Sequence, residues 1–136
     1  MNILVIDGMG GGIGRAIIEQ IKSSRTNAAI TAVGTNSAAT LAMMKAGADI
    51  CATGENAVIY NAAKADYIIG VMGIVAANAM HGEVSPAMAQ AVASSSAHKI
   101  LIPMEKCNIT VVGVAPMPTQ SYVAEISAWL AGRANE

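Results

Sequence analysis

Apolar and polar positions along this chain switch between two rhythms. Short unbroken apolar runs give way to stretches with an apolar stripe at helical spacing, and the exchange predicts the elements in order. Ile3-Leu4-Val5-Ile6 is a buried strand. From Ile13 to Ser24 the residues Ile13, Ile17, Ile18 and Ile21 share one helical face, with Arg15 and Glu19 as an i,i+4 pair outside. Ala29 to Val33 is a second strand, and a helix from about Ala38 to Ala46 is ended by Gly47. Asp49 to Ala52 reads as a third strand, Glu55 to Ala63 as a helix and Tyr67 to Gly70 as a fourth strand. Between Gly73 and Ala97 the pattern predicts two helical pieces. They divide at His81-Gly82-Glu83 and restart at Ser85-Pro86, a capping serine before a first-turn proline. Lys99 to Met104 is a fifth strand. Ile109 to Val114 follows after so short a turn that an antiparallel edge strand is expected. A last helix places Tyr122, Ile126, Trp129 and Leu130 on one face. The expected fold is α/β: one doubly wound Rossmann-like domain over residues 1–136, mostly parallel, with that antiparallel edge.

The first strand runs straight into Asp7-Gly8-Met9-Gly10-Gly11-Gly12-Ile13-Gly14 and then into a helix. Glycines let a backbone turn tightly and bring its N–H groups close to a phosphate, while the positive end of the next helix faces the same charge. The competing reading is a turn needed only to pack a strand against a helix. The spacing Gly8-x-x-x-Gly12-Ile13-Gly14 resembles the glycine motif of short-chain dehydrogenases, with Asp7 where that family usually carries threonine. A carboxylate beside a phosphate repels it unless it binds loop N–H groups, a ligand hydroxyl or a bridging Mg²⁺.

In an open parallel sheet, ligands bind beyond the carboxyl ends of the strands. The second strand ends in Gly34-Thr35-Asn36-Ser37, the third in Thr53-Gly54-Glu55-Asn56, the fourth in Gly70-Val71-Met72-Gly73 and the fifth in Glu105-Lys106-Cys107-Asn108. Asp7, Gly8, Gly10, Gly11, Gly12, Ile13, Gly14, Gly34, Thr35, Asn36, Ser37, Thr53, Gly54, Glu55 and Gly73 are therefore the candidate ligand-binding residues. The expected ligand is a nucleotide, a dinucleotide or another phosphorylated metabolite. After the second strand a dinucleotide enzyme normally presents an acid for the ribose, or an arginine for a 2′-phosphate. Thr35 and Asn36 are neither, though both can hydrogen-bond a ribose or base. Glu55, Lys106 and Cys107 are the catalytic candidates: Glu55 as a base or ribose ligand, against a first-turn acid complementing the helix dipole, and Cys107 as a thiol beside a lysine, against an inert thiol. His81, at the helix break, is a candidate proton shuttle, against a solvent-facing turn histidine.

Tyr60-Asn61-Ala62-Ala63-Lys64 has the Tyr-x-x-x-Lys spacing of the short-chain dehydrogenase catalytic pair, but it sits on the helix after the third strand rather than the fifth. That placement carries Lys64 away from the ligand edge, so Tyr60 reads as packing and Lys64 as a solvated helix end.

Composition narrows the class. Eight Lys and Arg against nine Asp and Glu leave no field to attract nucleic acid, and no basic stripe with interleaved aromatics appears. Charged residues are only 12% of the chain and mean hydropathy is +0.49, apolar for so small a domain, so a homo-oligomer is expected through the Gly73 to Ser96 region or the Trp129 helix. The longest apolar run, Tyr67 to Met80, is broken by Gly70, Gly73 and Asn78 and falls short of the roughly 20 residues a membrane span needs. With no basic leader before the first strand, a cytoplasmic protein is expected. Cys51, Cys107, His81 and His98 match no metal-ligand spacing, so no metal site is expected from them.

Nearly the full length resembles a family of small bacterial Rossmann-like proteins catalogued as a domain of unknown function. The likeness is carried by Ile6-Asp7-Gly8 with Gly10-Gly11-Gly12-Ile13-Gly14, by Gly34-Thr35-Asn36-Ser37 and Ala46-Gly47-Ala48-Asp49, and by Ala52-Thr53-Gly54-Glu55-Asn56 and Lys106-Cys107-Asn108. It implies a cytoplasmic Rossmann-like protein and no particular activity. Three functions follow from the residues: a sensor or regulatory module holding a phosphorylated ligand at the glycine loop; a small enzyme on a nucleotide-linked substrate, including a divergent NAD(P)-dependent oxidoreductase; and a structural oligomer whose loop is empty.

Overall fold

In the computed structural model, residues 1–24, 26–104 and 108–133 are described. Strands β1 (Asn2–Asp7), β2 (Ala29–Gly34), β3 (Ile50–Thr53), β4 (Tyr67–Val71) and β5 (His98–Ile102) form one sheet in the order β3-β2-β1-β4-β5. Every pairing is parallel, with Val5 opposite Ala32 on one side and Ile69 on the other. Helices α1 (Gly12–Ser23), α2 (Ser37–Lys45) and α5 (Thr119–Arg133) pack together on one face, and α3 (Glu55–Ala62) and α4 (Pro86–Ser94) on the other. This is the Rossmann-like α/β arrangement.

β1 reads as an unbroken apolar run because both of its faces are covered. Ile3 and Val5 turn to the first face, where Ile17, Ile18 and Ile21 of α1, Met43 of α2 and Val123, Ile126 and Leu130 of α5 are buried. Leu4 and Ile6 turn to the second, against Val58 of α3 and Met88 and Val92 of α4. Burying each such side chain contributes roughly 1.5–3 kcal/mol. At the amino ends of the strands two carboxylates act as stitches: Asp66 accepts from Asn2 N–H at 2.7 Å and Asp49 from Ile30 N–H at 2.8 Å. The Ile30 amide, followed by the Lys22 ammonium, holds Asp49 below the usual carboxylate range.

Two expectations are corrected. Ile109–Val114 is not a strand: residues 108–118 are irregular, so the described sheet has no antiparallel member. Asn108 has φ 56° and Gly113 φ 86°, left-handed positions that an extended strand does not take. Its apolar residues Ile109, Val111 and Val114 instead line a cavity against Ile13 and Ile102. The first of the two helical pieces after β4 is only a 3-10 turn, Met72–Val75. Asn78, Met80, His81 and Gly82 have φ of 66°, 57°, 56° and 90°, values that a right-handed helix excludes. The restart behaves as the sequence indicates, with Ser85 Oγ accepting from Met88 N–H at 3.2 Å and Pro86 in the first turn.

Candidate ligand-binding site

The order β3-β2-β1-β4-β5 makes the gap between β1 and β4 the switch point, where successive crossovers leave in opposite directions and a crevice opens. A cavity of about 790 Å³ lies there, within the range of roughly 300–1,000 Å³ usual for small-molecule sites. One wall is the β1–α1 loop from Asp7 to Ile13; the others are Val71 at the end of β4, residues 76–81, and Met104 and Asn108 beyond β5. Met9, Met80 and Met104 make the wall soft and apolar. Met9, Asn78, Met80, His81 and Asn108, the five non-glycine residues with positive φ among those described, all line it. Such conformations cost of order 1–3 kcal/mol each and collect where a fold supports a site. A second cavity of about 360 Å³, lined by Ile102, Ile109 and Tyr122 among others, adjoins the first across the shared residues Ile13 and Met104.

Asp7 closes β1 from inside. It is 6% exposed, and its two oxygens accept from Gly8 N–H at 2.8 Å and Gly14 N–H at 2.6 Å. Of the three ways for a carboxylate to sit beside this loop, the chain uses the first, binding loop amides. Burial pushes the Asp7 carboxyl up; the Gly14 and Gly8 amides oppose that, the Glu83 charge adds to it, and the Ile13 amide again opposes it. The carboxylate that would have carried Mg²⁺ to the loop is thus committed to amides. Among the described residues no three His, Cys, Asp or Glu side chains gather as a metal site.

The five glycines divide by what surrounds them. A Cβ at Gly8 would stand 2.6 Å from Met80 Sδ and from Thr35 Oγ1, at Gly11 2.8 Å from the Ala39 backbone, and at Gly14 2.6 Å from Met43 Sδ and 2.9 Å from Asp7 Cβ. Gly11 also has φ 74° and donates to Gly8 C=O at 3.0 Å. These three are demanded by the protein's own packing. At Gly10 and Gly12 nothing lies within 4 Å of the Cβ position and φ is not positive. Both line the cavity, and among the described residues no acceptor meets either N–H.

The sequence model of a family described as "Domain of unknown function (DUF3842)" matches residues 2–133. The chain belongs to that family. No curated protein matches it. Among solved structures it is similar to the crystal structure of a dodecameric FMN-dependent UbiX-like decarboxylase from Escherichia coli O157:H7. The identity is 15%, the coverage 98% of this chain and 76% of that one, and the TM-score 0.44. At that identity and score the match adds nothing to what the chain's own strand order shows.

Of the candidate residues, the cavity gathers Asp7, Gly8, Gly10, Gly11, Gly12 and Ile13, with Gly14 behind them on Asp7. Gly34, Thr35, Asn36, Ser37, Thr53, Gly54, Glu55 and Gly73 are outside its lining. Thr53 Oγ1 pairs with Thr40 Oγ1 at 2.7 Å, and Glu55 accepts from the α4 cap Ser85 at 2.6 Å, a link between helices rather than a base in a pocket. Lys106 and Cys107 lie outside the described residues. Tyr60 is not packing: it is 58% exposed, with the Lys64 ammonium bonded to its hydroxyl and 3.7 Å from its ring centre. That ammonium pulls the Tyr60 hydroxyl below its ordinary value. Glu83 is the residue the sequence reading missed. Its Oε1 accepts from Thr35 Oγ1 at 2.6 Å, Asn36 Nδ2 at 2.8 Å and Met9 N–H at 3.0 Å. The Thr35 hydroxyl and Met9 amide hold its carboxyl low despite some burial, with help from Asn36 and the His81 side chain. The one signal for it was a lone carboxylate at the break of an apolar segment.

Proposed function

We propose that this protein binds a nucleotide or another phosphorylated metabolite in the cavity between β1 and β4, as a sensor or regulatory module. A phosphate would take the amides of Gly10 and Gly12, which meet no acceptor among the described residues, and an apolar moiety such as a base would lie against Met9, Met80 and Met104. The observation that carries this reading is that a Cβ at Gly10 or Gly12 would meet nothing within 4 Å among the described residues, while both glycines line the cavity. Their place in the chain is where ligand phosphates approach an α/β backbone most closely. Asp7 leaves the loop open to an anion because its two oxygens are turned onto the Gly8 and Gly14 amides.

A thermal-shift panel of nucleotides, dinucleotides and phosphorylated metabolites on the wild-type chain tests this. A ligand at 100 times its Kd stabilises by about 2.7 kcal/mol, roughly 9 °C for a domain of this size. No shift across the panel counts against the reading. A second reading, a small enzyme, is favoured by Asp7 itself, a buried carboxyl of raised pKa facing a cavity that His81 also lines. Lys106 and Cys107, which fall between the cavity residues Met104 and Asn108 in the chain, are its further candidates. Turnover of a hit that His81→Gln or Cys107→Ser removes would select that reading. We further propose that the chain forms a homo-oligomer.

A further inference from the structure

In dinucleotide-binding sheets the pyrophosphate lies on the loop after β1 and a ribose reaches across to the end of β2. Here the end of β2 is already filled from within the chain. Glu83 comes in from residues 76–84 and sets one oxygen against the Thr35 hydroxyl, the Asn36 amide and the Met9 N–H. Asn36 is then fully used, since Nδ2 also donates to Met9 C=O at 2.9 Å and Oδ1 caps α2 by accepting from Ala39 N–H at 2.8 Å. The two groups best placed to hold a ribose have no donor left for one. Gly8 records the same crossing: a Cβ there would stand 2.6 Å from Thr35 Oγ1 and 3.1 Å from Glu83 Oε1. The cavity is correspondingly lined from the ends of β1, β4 and β5, with no described residue from beyond β2 or β3.

We infer that Glu83 sets the specificity of this site: its carboxylate occupies the ribose position at the end of β2, so the cavity takes a phosphorylated ligand of one-nucleotide size lying toward β4 and β5, and rejects dinucleotides. The inference rests on the cavity reading above and narrows it to a substrate class. Volume does not make the distinction; the direction in which the cavity extends does. A dinucleotide reaching across to the end of β2 would have to displace a carboxylate oxygen held there by three hydrogen bonds.

Calorimetric titration of the full chain with AMP, flavin mononucleotide, inorganic phosphate and NAD⁺, repeated on Glu83→Ala, tests it. The wild type is expected to bind at least one single-phosphate probe about ten-fold or more tightly than NAD⁺, a gap of about 1.4 kcal/mol. In Glu83→Ala that ratio should fall by about ten-fold. Three results would overturn the inference: NAD⁺ binding the wild type more tightly than every single-phosphate probe, a ratio that Glu83→Ala does not move, or a loss of NAD⁺ affinity in Glu83→Ala, which would make Glu83 a ribose ligand. If Glu83→Ala does not fold, the wild-type ratio decides alone. Silence from all four probes and from the wider panel removes the cavity reading, and this inference with it.

Discussion

Asp7 is where the chemistry of single residues is most exposed to test. A buried carboxyl whose pKa is raised contributes stability that is complete below its ordinary value of 3.8 and is lost as pH rises through the raised value. Glu83 has the opposite sign: its lowered pKa contributes stability above 4.5 that is lost as pH falls. The two are coupled, so Glu83→Gln should lower the Asp7 pKa toward 3.8, read by carboxyl NMR across a titration. A phosphate in the cavity would act as a second Glu83 and push Asp7 further up. The same carboxyl titration repeated with ligand bound should show that rise. Gly11→Ala should cost about 1–3 kcal/mol, because φ 74° and the Ala39 backbone 2.8 Å from the new Cβ leave it no room. The glycine loop was legible in the sequence because strand, glycines and helix are contiguous. Which glycines answer to packing was not, since their neighbours Ala39, Met43 and Met80 are remote in the chain. Glu83 escaped for the same reason: its partners Thr35 and Asn36 lie 48 and 47 residues away.

Elements with local start and stop signals came out as read. Gly47 ends α2 with φ 105°, Arg15 and Glu19 pair at 2.8 Å on the outside of α1, and Ser85 caps α4. That cap is reciprocal, with Met88 Sδ receiving the Ser85 N–H at 3.4 Å. Ser85→Ala should cost about 1 kcal/mol in a denaturant melt and also release Glu55. Ligand affinity should be untouched, because neither residue reaches the cavity. Hydrophobic pattern misled where apolar residues serve a cavity instead of a ladder. Ile109 to Val114 carries the composition of a strand, yet it covers the smaller cavity beside Ile13 while Val112 stands 94% exposed. The segment after β4 failed for a conformational reason, since its run of positive φ values has no reliable signature in residues such as Met80 and His81. The cavity wall opposite the glycine loop was thus the part of the fold least visible beforehand.

At the scale of the whole molecule the apolar excess that led to the expectation of an oligomer is unevenly spread. Trp129 is engaged within the chain, stacked 4.8 Å from His98, edge-on to Tyr67 and beneath Arg133. Leu41 and Met44 of α2, Ile50 of β3 and Ile59 and Tyr60 of α3 are instead exposed, and Ile50, at 61%, lies on the edge strand of the described sheet, whose outer backbone groups can template another chain. If copies associate there, Ile50→Lys should shift the sedimentation coefficient to that of a monomer, and a monomeric wild type would contradict the association. No helix among the described residues is long and apolar enough to cross a membrane. Gly10 and Gly12 line a cavity that the described residues leave open, and the melting temperature of Gly12→Ala tests most directly whether a phosphorylated ligand lies against them. Without ligand, alanine at this helix start should raise stability by about 0.4–1 kcal/mol, since it meets nothing within 4 Å. With a phosphorylated ligand that stabilises the wild type, the shift should vanish; a shift of undiminished size would show that the ligand does not lie against this loop.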